Sequence, residues 1–194
     1  MANPQDVRWK RPLFQPHPLY GYVFSKLNET RPWLTEQIGT CTIGSDGFRV
    51  IPGQGKAHLP KLTFYGCSFT FGYGISNTES FPALLQARFP GLRVTNKGVF
   101  GYSNVQNLLH FRTDLRTRGA PNVTYAVVGF YSGHVWRNIM AHPSWMIPSR
   151  MKYWRHIGIE QLPRPRIARD GSVEIEFVSL DQPARARSEI DAAV

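Results

Sequence analysis

The chain has 194 residues, of which 42% are hydrophobic and 19% are charged, a composition typical of one globular domain with a sizeable core. Two cysteines exclude a disulfide-stapled scaffold, and no apolar run approaches the roughly 18 residues that a membrane-spanning helix needs. The N-terminus lacks the charged-then-apolar order of a secretory signal, so the sequence predicts a cytoplasmic protein.

The net charge of +10 raises the question of nucleic-acid binding. The excess comes from 17 arginines and 6 lysines, which are scattered along the chain. A phosphate-binding surface gathers cations and aromatic rings on one face, and only the stretch around Trp154 imitates that pattern. Because no nucleic-acid-binding motif accompanies the charge, we favour a solvated basic surface or one that meets an acidic partner, and expect no nucleic-acid ligand.

Residues 1–60 are predicted to form an extended segment that packs on the core. Four prolines between positions 12 and 32 forbid a long helix, and the aromatic residues among them are suited to anchoring the segment. Two short β-prone stretches follow within 41–53, on either side of the turn signal Ser45-Asp46-Gly47.

Residues 61–140 alternate between strand and helix patterns. This alternation predicts an α/β fold with a parallel sheet and right-handed crossovers. We expect the third strand to be fully buried, because its residues are almost all apolar. The strands are predicted at 62–68, 92–99 and 124–131, and the helices at 79–89, 103–115 and 134–140.

The first predicted helix has Thr78 or Asn77 as its expected cap, with Pro82 in the first turn, where a missing N–H does no harm. For the second helix, the spacing of the apolar residues predicts that Val105, Leu108, Leu109 and Leu115 form the buried side.

Residues 141–194 are predicted to be irregular apart from one β-hairpin. The hairpin is expected at 166–178 around the turn Asp170-Gly171, and the polar stretch 182–194 as a tail. Glu174 and Glu176 alternate with apolar residues there, which indicates a solvated face.

Ser68 is the strongest candidate for chemistry. It lies in GCSFTFGYG (66–74), directly after the first predicted strand of the α/β region, and ligands of open α/β sheets bind beyond the carboxyl ends of the strands. A serine in such a turn has an exposed hydroxyl and a free backbone N–H, as a nucleophile that attacks a carbonyl requires. The residues alone equally allow a structural turn with a Ser/Thr cap.

Three ordered motifs resemble those of the SGNH/GDSL-type hydrolases. The first is the Ser68 segment with its continuation FTFGYGISNTESFPALLQ (69–86), in which Cys67 stands where the family has aspartate. The second is NKGVFG (96–101), and the third is TIGSDGFRV (42–50), similar to a segment that precedes the catalytic domain in bacterial members. The resemblance covers roughly residues 16–140.

This resemblance implies a three-layer, flavodoxin-like hydrolase domain with a parallel sheet, and on one interpretation the chain lacks the C-terminal part of that domain. It implies that Ser68 is the nucleophile of a serine esterase and that the Gly101 N–H donates to the oxyanion. The implied substrate is a small-molecule or carbohydrate ester, such as an O-acyl sugar, with no cofactor and no metal.

The sequence departs from the family where the third strand ends. The family has Gly-x-Asn-Asp there, with the asparagine amide in the oxyanion hole, whereas this chain has GFYSGHVWRN (129–138). The asparagine position falls on Gly133 or His134, and a histidine N–H can replace the amide as a donor. Arg137 follows as a candidate to bind a carboxylate or phosphate of the substrate, with a structural ion pair as the alternative.

The general base of the family, the histidine of a C-terminal Asp-x-x-His, has no counterpart here. The six histidines are His17, His58, His110, His134, His142 and His156, and none follows an aspartate by three residues. Three interpretations stay open: a fragment that lacks the last strands, which the open hairpin and tail favour, a double role for His134, or a catalytically degenerate member. The alternative to an esterase is therefore a binding module for an acidic polymer. The sequence does not predict an oligomeric state.

Overall fold

A computed structural model describes residues 12–30, 41–116, 124–139 and 154–180 of the chain. Within these ranges the fold is mixed α/β, as predicted. The elements in chain order are β1 (Phe14–His17), β2 (Gly21–Phe24), β3 (Glu29–Thr30), β4 (Thr42–Ile43), β5 (Lys61–Gly66), α1 (Ser68–Phe71), α2 (Phe81–Arg88), β6 (Arg93–Gly98), α3 (Asn104–Arg116), β7 (Tyr125–Val128), α4 (Gly133–Ile139), β8 (Gln161–Ile167) and β9 (Val173–Ser179).

The centre of the fold is a three-stranded parallel sheet in the order β6-β5-β7, which confirms the predicted parallel pairing. Gly66 at the end of β5 lies opposite Gly98 at the end of β6, and Tyr65 lies opposite Val128 at the end of β7. The carboxyl ends of all three strands therefore meet at one edge of the sheet, where α/β proteins bind their ligands.

The predicted cap of α2 is wrong. The helix begins at Phe81 with Ser80 in the N-cap position, two or three residues later than Thr78 or Asn77. Asn77 instead binds the N-terminal segment, since its Oδ1 accepts the Thr42 N–H at 3.1 Å and its Nδ2 donates to the Thr42 hydroxyl at 3.0 Å. Pro82 lies in the first turn of the helix, as expected.

The buried side of α3 also differs from the prediction. Val105 is buried, but Leu108 and Leu115 are 47% and 45% exposed. The helix buries polar residues instead: Gln106, Asn107 and His110. The N-terminal hairpin supplies partners for this polar side, because Gln106 Nε2 donates to the Tyr20 carbonyl at 2.7 Å.

Strand β7 is not the buried strand that its apolar sequence predicts. Tyr125 is 57% exposed and Val128 is 48% exposed. Within the described residues, β7 pairs with β5 along one edge only, so it is an edge strand of the sheet.

The region after α4 contains the predicted hairpin in a longer form. The turn at Asp170-Gly171 is confirmed, but β8 begins at Gln161, so the expectation of an irregular chain up to residue 166 is wrong for its last part. Glu176 and Glu174 form cross-strand ion pairs with Arg164 and Arg166. The predicted tail at 182–194 lies outside the described residues.

The N-terminal segment packs on the α/β region and extends its sheet. The antiparallel hairpin of β1 and β2 buries Phe14, Tyr22 and Phe24 in the larger of two apolar clusters, which also holds Phe71 and Tyr102. Further along, isolated bridges join Arg49 to Ile43 on one side and to Asn96 of β6 on the other. None of the helices in the described ranges is long and apolar enough to cross a membrane.

Candidate active site

Ser68 opens a helix of a single turn at the carboxyl end of the central strand. Cys67, in extended conformation, is the N-cap of α1, and Gly72 ends the helix in the left-handed conformation with φ of 82°. As the first helical residue, Ser68 has a backbone N–H without an intrahelical acceptor. Its side chain is half-buried, and its hydroxyl makes no hydrogen bond within the described part of the chain.

Glycines at the strand ends let α1 lie directly on the sheet edge. A Cβ on Gly66 or Gly129 would collide with the side chain of Thr70, and a Cβ on Gly98 would collide with the backbone of Phe71. Glycine is required at these three positions by close approach, and the result is that α1 sits over the ends of all three parallel strands.

Gly101 lies in the loop that follows β6, with φ of 77°, a conformation that favours glycine. Its two neighbours are held by the N-terminal hairpin: the Tyr22 hydroxyl donates to the Phe100 carbonyl at 2.6 Å, and the Tyr102 hydroxyl donates to the Tyr22 carbonyl at 2.6 Å. Burial raises the pKa of both tyrosines, so both stay protonated donors. The Gly101 N–H has no acceptor among the described residues.

His134 lies in the first turn of α4, after the end of β7, and is 1% exposed. Its Nδ1 accepts the Tyr131 N–H at 3.4 Å. Burial, together with the charge of Arg137, lowers the pKa of His134 to about 4, so the ring is neutral at pH ~7. Since Nδ1 is an acceptor, Nε2 carries the proton, and this N–H is buried without a partner in the described residues.

An aromatic ring connects His134 to the nucleophile segment. The Tyr131 ring lies 4.5 Å from the His134 ring and 5.0 Å from the Phe69 ring, between centroids. Phe69 is the residue directly after Ser68. Glycine at position 133 leaves room for this packing, because a Cβ there would meet the far end of the Tyr131 ring.

Arg137 is bound by the protein itself. Its Nη1 donates to the Tyr102 carbonyl at 3.1 Å, and its guanidinium carbon lies 5.2 Å from the centroid of the Tyr131 ring. These contacts tie α4 to the loop of Gly101. The two predicted roles of Arg137, a substrate anion site or an ion pair, stay predictions.

Exposed aromatic residues follow Ser68 and the end of β7. Phe69 and Phe130 are 68% and 64% exposed, and Tyr73 is also exposed. Tyr73 packs edge-on against Phe100, at 5.2 Å between centroids. An apolar rim of this kind is suited to an organic ester rather than to a small ion.

The other described histidines lie away from Ser68 or lack a carboxylate partner. His110 is a buried residue of α3 whose ring lies against Tyr20, and the ring of His17 stacks on the same tyrosine. His58 precedes β5 and is therefore at the amino end of the sheet, opposite to Ser68, and His156 is exposed. His142 lies outside the described residues. In the described ranges no histidine pairs with a carboxylate, and no group of three His, Cys, Asp or Glu residues can hold a metal ion.

Two residues of this region had no individual role in the sequence interpretation. The amide of Asn96 and the guanidinium of Arg49 both bind carbonyl groups at the end of α1. Only the resemblance of 42–50 and 96–101 to family motifs pointed to these segments, since a buried arginine is the opposite of what hydropathy predicts.

Ser68, Gly101 and the pair Gly133–His134 all lie in chain segments that leave the same edge of the sheet, after β5, β6 and β7. No protein-family model matches the sequence, and no curated protein matches it at a significant level.

Proposed function

We propose that this chain is a serine esterase with an SGNH-type, flavodoxin-like three-layer domain. The observation that carries the proposal is the position of Ser68 on the first turn after the central parallel strand, followed at both neighbouring strands by an N–H donor that has no partner among the described residues. The resemblance of the motifs around Ser68 and Gly101 to that family supports the same conclusion.

In the proposed reaction, the Ser68 hydroxyl oxygen attacks the carbonyl carbon of an ester. The N–H groups of Ser68 and Gly101 and the Nε2–H of His134 stabilise the negative charge on the carbonyl oxygen. The leaving oxygen takes the proton lost by Ser68 and departs as an alcohol while the tetrahedral intermediate collapses to an acyl-enzyme, which water then hydrolyses to a carboxylic acid and free Ser68. The donor role suits His134, because its Nδ1 accepts an N–H and the proton of the neutral ring is therefore on Nε2. A general base would instead need a free lone pair on the nitrogen that faces the Ser68 hydroxyl.

The residue that takes the Ser68 proton stays unassigned, and this supports a second candidate function. No described histidine is paired with a carboxylate, the arrangement that such a base requires. This observation favours a catalytically degenerate member of the same family that binds an ester or an acidic polymer.

Hydrolysis of p-nitrophenyl acetate, together with labelling by a fluorophosphonate, separates the two functions. We expect the wild-type chain to hydrolyse the ester and to be labelled at Ser68, and the Ser68→Ala variant to do neither. Ser172→Ala is the matched control, because Ser172 is an exposed serine in the β8–β9 turn. A folded wild-type chain that neither hydrolyses nor labels would exclude the esterase and favour the binding module.

A further inference from the structure

A buried guanidinium lies at the C-terminal end of the one-turn helix that begins with Ser68. Arg49 is 2% exposed. Its Nη1 donates to the carbonyl of Phe71 at 2.7 Å and to that of Gly72, and its Nη2 donates to the carbonyl of Ile75 at 2.6 Å. Its guanidinium carbon also lies 5.0 Å from the centroid of the Phe71 ring. One side chain therefore binds three carbonyl groups of a single loop.

Asn96 completes this set of bonds from the neighbouring strand. Its Nδ2 donates to the Thr70 carbonyl at 2.9 Å and to the Phe71 carbonyl at 3.3 Å, and Asn96 and Arg49 are partners in an antiparallel bridge. The last carbonyls of a helix have no intrahelical donors, and a positive charge is favourable there. An isolated single helical turn is unstable. Arg49 and Asn96 supply the hydrogen-bond donors to its carbonyls that the N–H groups of a further turn would otherwise supply.

The bound loop continues directly to the nucleophile. The N–H of Gly72 donates to the Ser68 carbonyl at 2.9 Å, and the N–H of Tyr73 donates to the same oxygen at 3.0 Å. Gly72 thus offers its carbonyl to Arg49 and its N–H to Ser68. A displacement of the Arg49 guanidinium would therefore be transmitted to the backbone of Ser68 through a single residue, Gly72.

We propose that Arg49 is a positioning residue for Ser68, which makes segment 41–50 a working part of the active site. The proposal rests on the proposed esterase function. Arg49 does not touch the substrate, because its guanidinium is buried and engaged with main-chain carbonyls. It acts by fixing the turn whose first residue is the nucleophile.

The expected signature is a loss of kcat without a change in KM. A displacement of about 1 Å at a reacting group can lower a rate by ~100-fold, so we expect Arg49→Lys to reduce kcat by about 10- to 100-fold. Lysine keeps the charge but lacks the planar fork that binds separate carbonyls. The rate of phosphonylation of Ser68 by a fluorophosphonate should fall by a similar factor.

Asp114→Asn is the matched control for lost stability. Asp114 belongs to another buried charged group, and its partner Lys97 lies on β6 next to Asn96. If Arg49→Lys affected activity only as much as an equally destabilised Asp114→Asn, the positioning role would be overturned.

Chemical rescue provides a second test. In Arg49→Ala, millimolar guanidinium should recover part of kcat, whereas methylammonium should not. A folded Arg49→Ala variant that guanidinium does not rescue would count against the proposal. If that variant does not fold, Gly72→Ala replaces it, because a Cβ at Gly72 would lie 2.8 Å from Nη1 of Arg49. Gly72→Ala should then lower kcat as Arg49→Lys does, and an unchanged kcat would contradict the proposal.

Hydrogen exchange tests the same contact without any activity. In Arg49→Lys, the amides of Gly72 and Tyr73 should exchange at least ~10-fold faster relative to the amides of the parallel sheet, whereas Asp114→Asn should speed them no more than it speeds those sheet amides. An inactive wild-type chain would refute the esterase alone, because the role of Arg49 in holding the turn is still decided by exchange. Unchanged protection of these two amides in Arg49→Lys would overturn it.

Discussion

His134 and His110 are alike in isolation and differ in where the fold places them. Both are buried, at 1% and 5% exposure, and each has a ring nitrogen without a hydrogen-bond partner in the described residues. Burial lowers the pKa of His134 to about 4 and that of His110 to about 3, so both rings are neutral at pH ~7.

The surroundings separate the two histidines. His134 follows the end of β7, one aromatic ring away from the residue after Ser68. His110 lies in the middle of α3 among the rings of Tyr20, Phe48 and Tyr65. The comparison shows that a perturbed pKa alone does not identify a functional group, because an ordinary buried core histidine has one too. Position at the carboxyl ends of the strands is what distinguishes His134.

The region of His110 should be decisive for stability. Lys97 Nζ lies 2.7 and 2.6 Å from the two carboxylate oxygens of Asp114, and the Tyr65 hydroxyl donates to Asp114 at 2.6 Å. Asp114→Asn would remove the carboxylate charge that faces a buried ammonium, so we expect a loss of ~3–5 kcal/mol in the free energy of unfolding. Urea unfolding measures it. Hydrolysis per folded molecule should stay unchanged, and a loss below ~1 kcal/mol would show that water reaches the pair.

The region of His134 should be decisive for the rate. We expect His134→Leu to lower kcat by ~100- to 1000-fold, because one donor to the oxyanion is lost. His110→Leu makes the same change at the other buried histidine and should leave kcat per folded molecule unaltered. His134→Asn restores a donor and should recover part of the rate. Equal kcat values for the two leucine variants would remove His134 from the oxyanion hole.

The elements around the site could be predicted from the sequence because their signals are local. The alternation of strands and helices, the turn at Ser68 and the parallel pairing follow from hydrophobic period and from glycine positions. The helical nature of α1 did not follow, since a single turn has no period of its own. Its carbonyls are bound by Arg49 and Asn96, which are 22 or more positions away along the chain.

Burial was the weaker part of the prediction. The apolar residues Leu108 and Leu115 are exposed on α3, whereas Gln106 and His110 are buried beneath the N-terminal hairpin. Which side of a helix is buried depends on the element that packs against it. The tyrosine rings and backbone carbonyls of the N-terminal hairpin can bury polar side chains, because they offer hydrogen-bond partners as well as apolar surface. Strand β7 shows the converse, an apolar strand at a sheet edge that the described residues leave exposed.

The two histidines also predict how stability depends on pH. In the unfolded chain each has a pKa near ~6.5, whereas in the folded chain burial lowers both values. As pH falls below ~6.5, the unfolded state binds protons that the folded state does not, so stability decreases by up to ~1.4 kcal/mol per pH unit for each histidine. The contribution of His134 ends at its folded pKa of about 4, and that of His110 continues to about 3.

Urea unfolding at several pH values checks this sign and assigns it. The free energy of unfolding should be highest above pH ~6.5, and its decline toward acid should be shallower in His110→Leu than in wild type. Asp114 adds to the decline only in the acid part of this window: burial raises its pKa, but Lys97 and the hydrogen bonds of Lys97 and Tyr65 outweigh burial and lower it, so its stabilisation is lost as pH falls below ~4. An unchanged slope in His110→Leu would mean that the folded ring already takes up a proton, and that water reaches the space beneath α3.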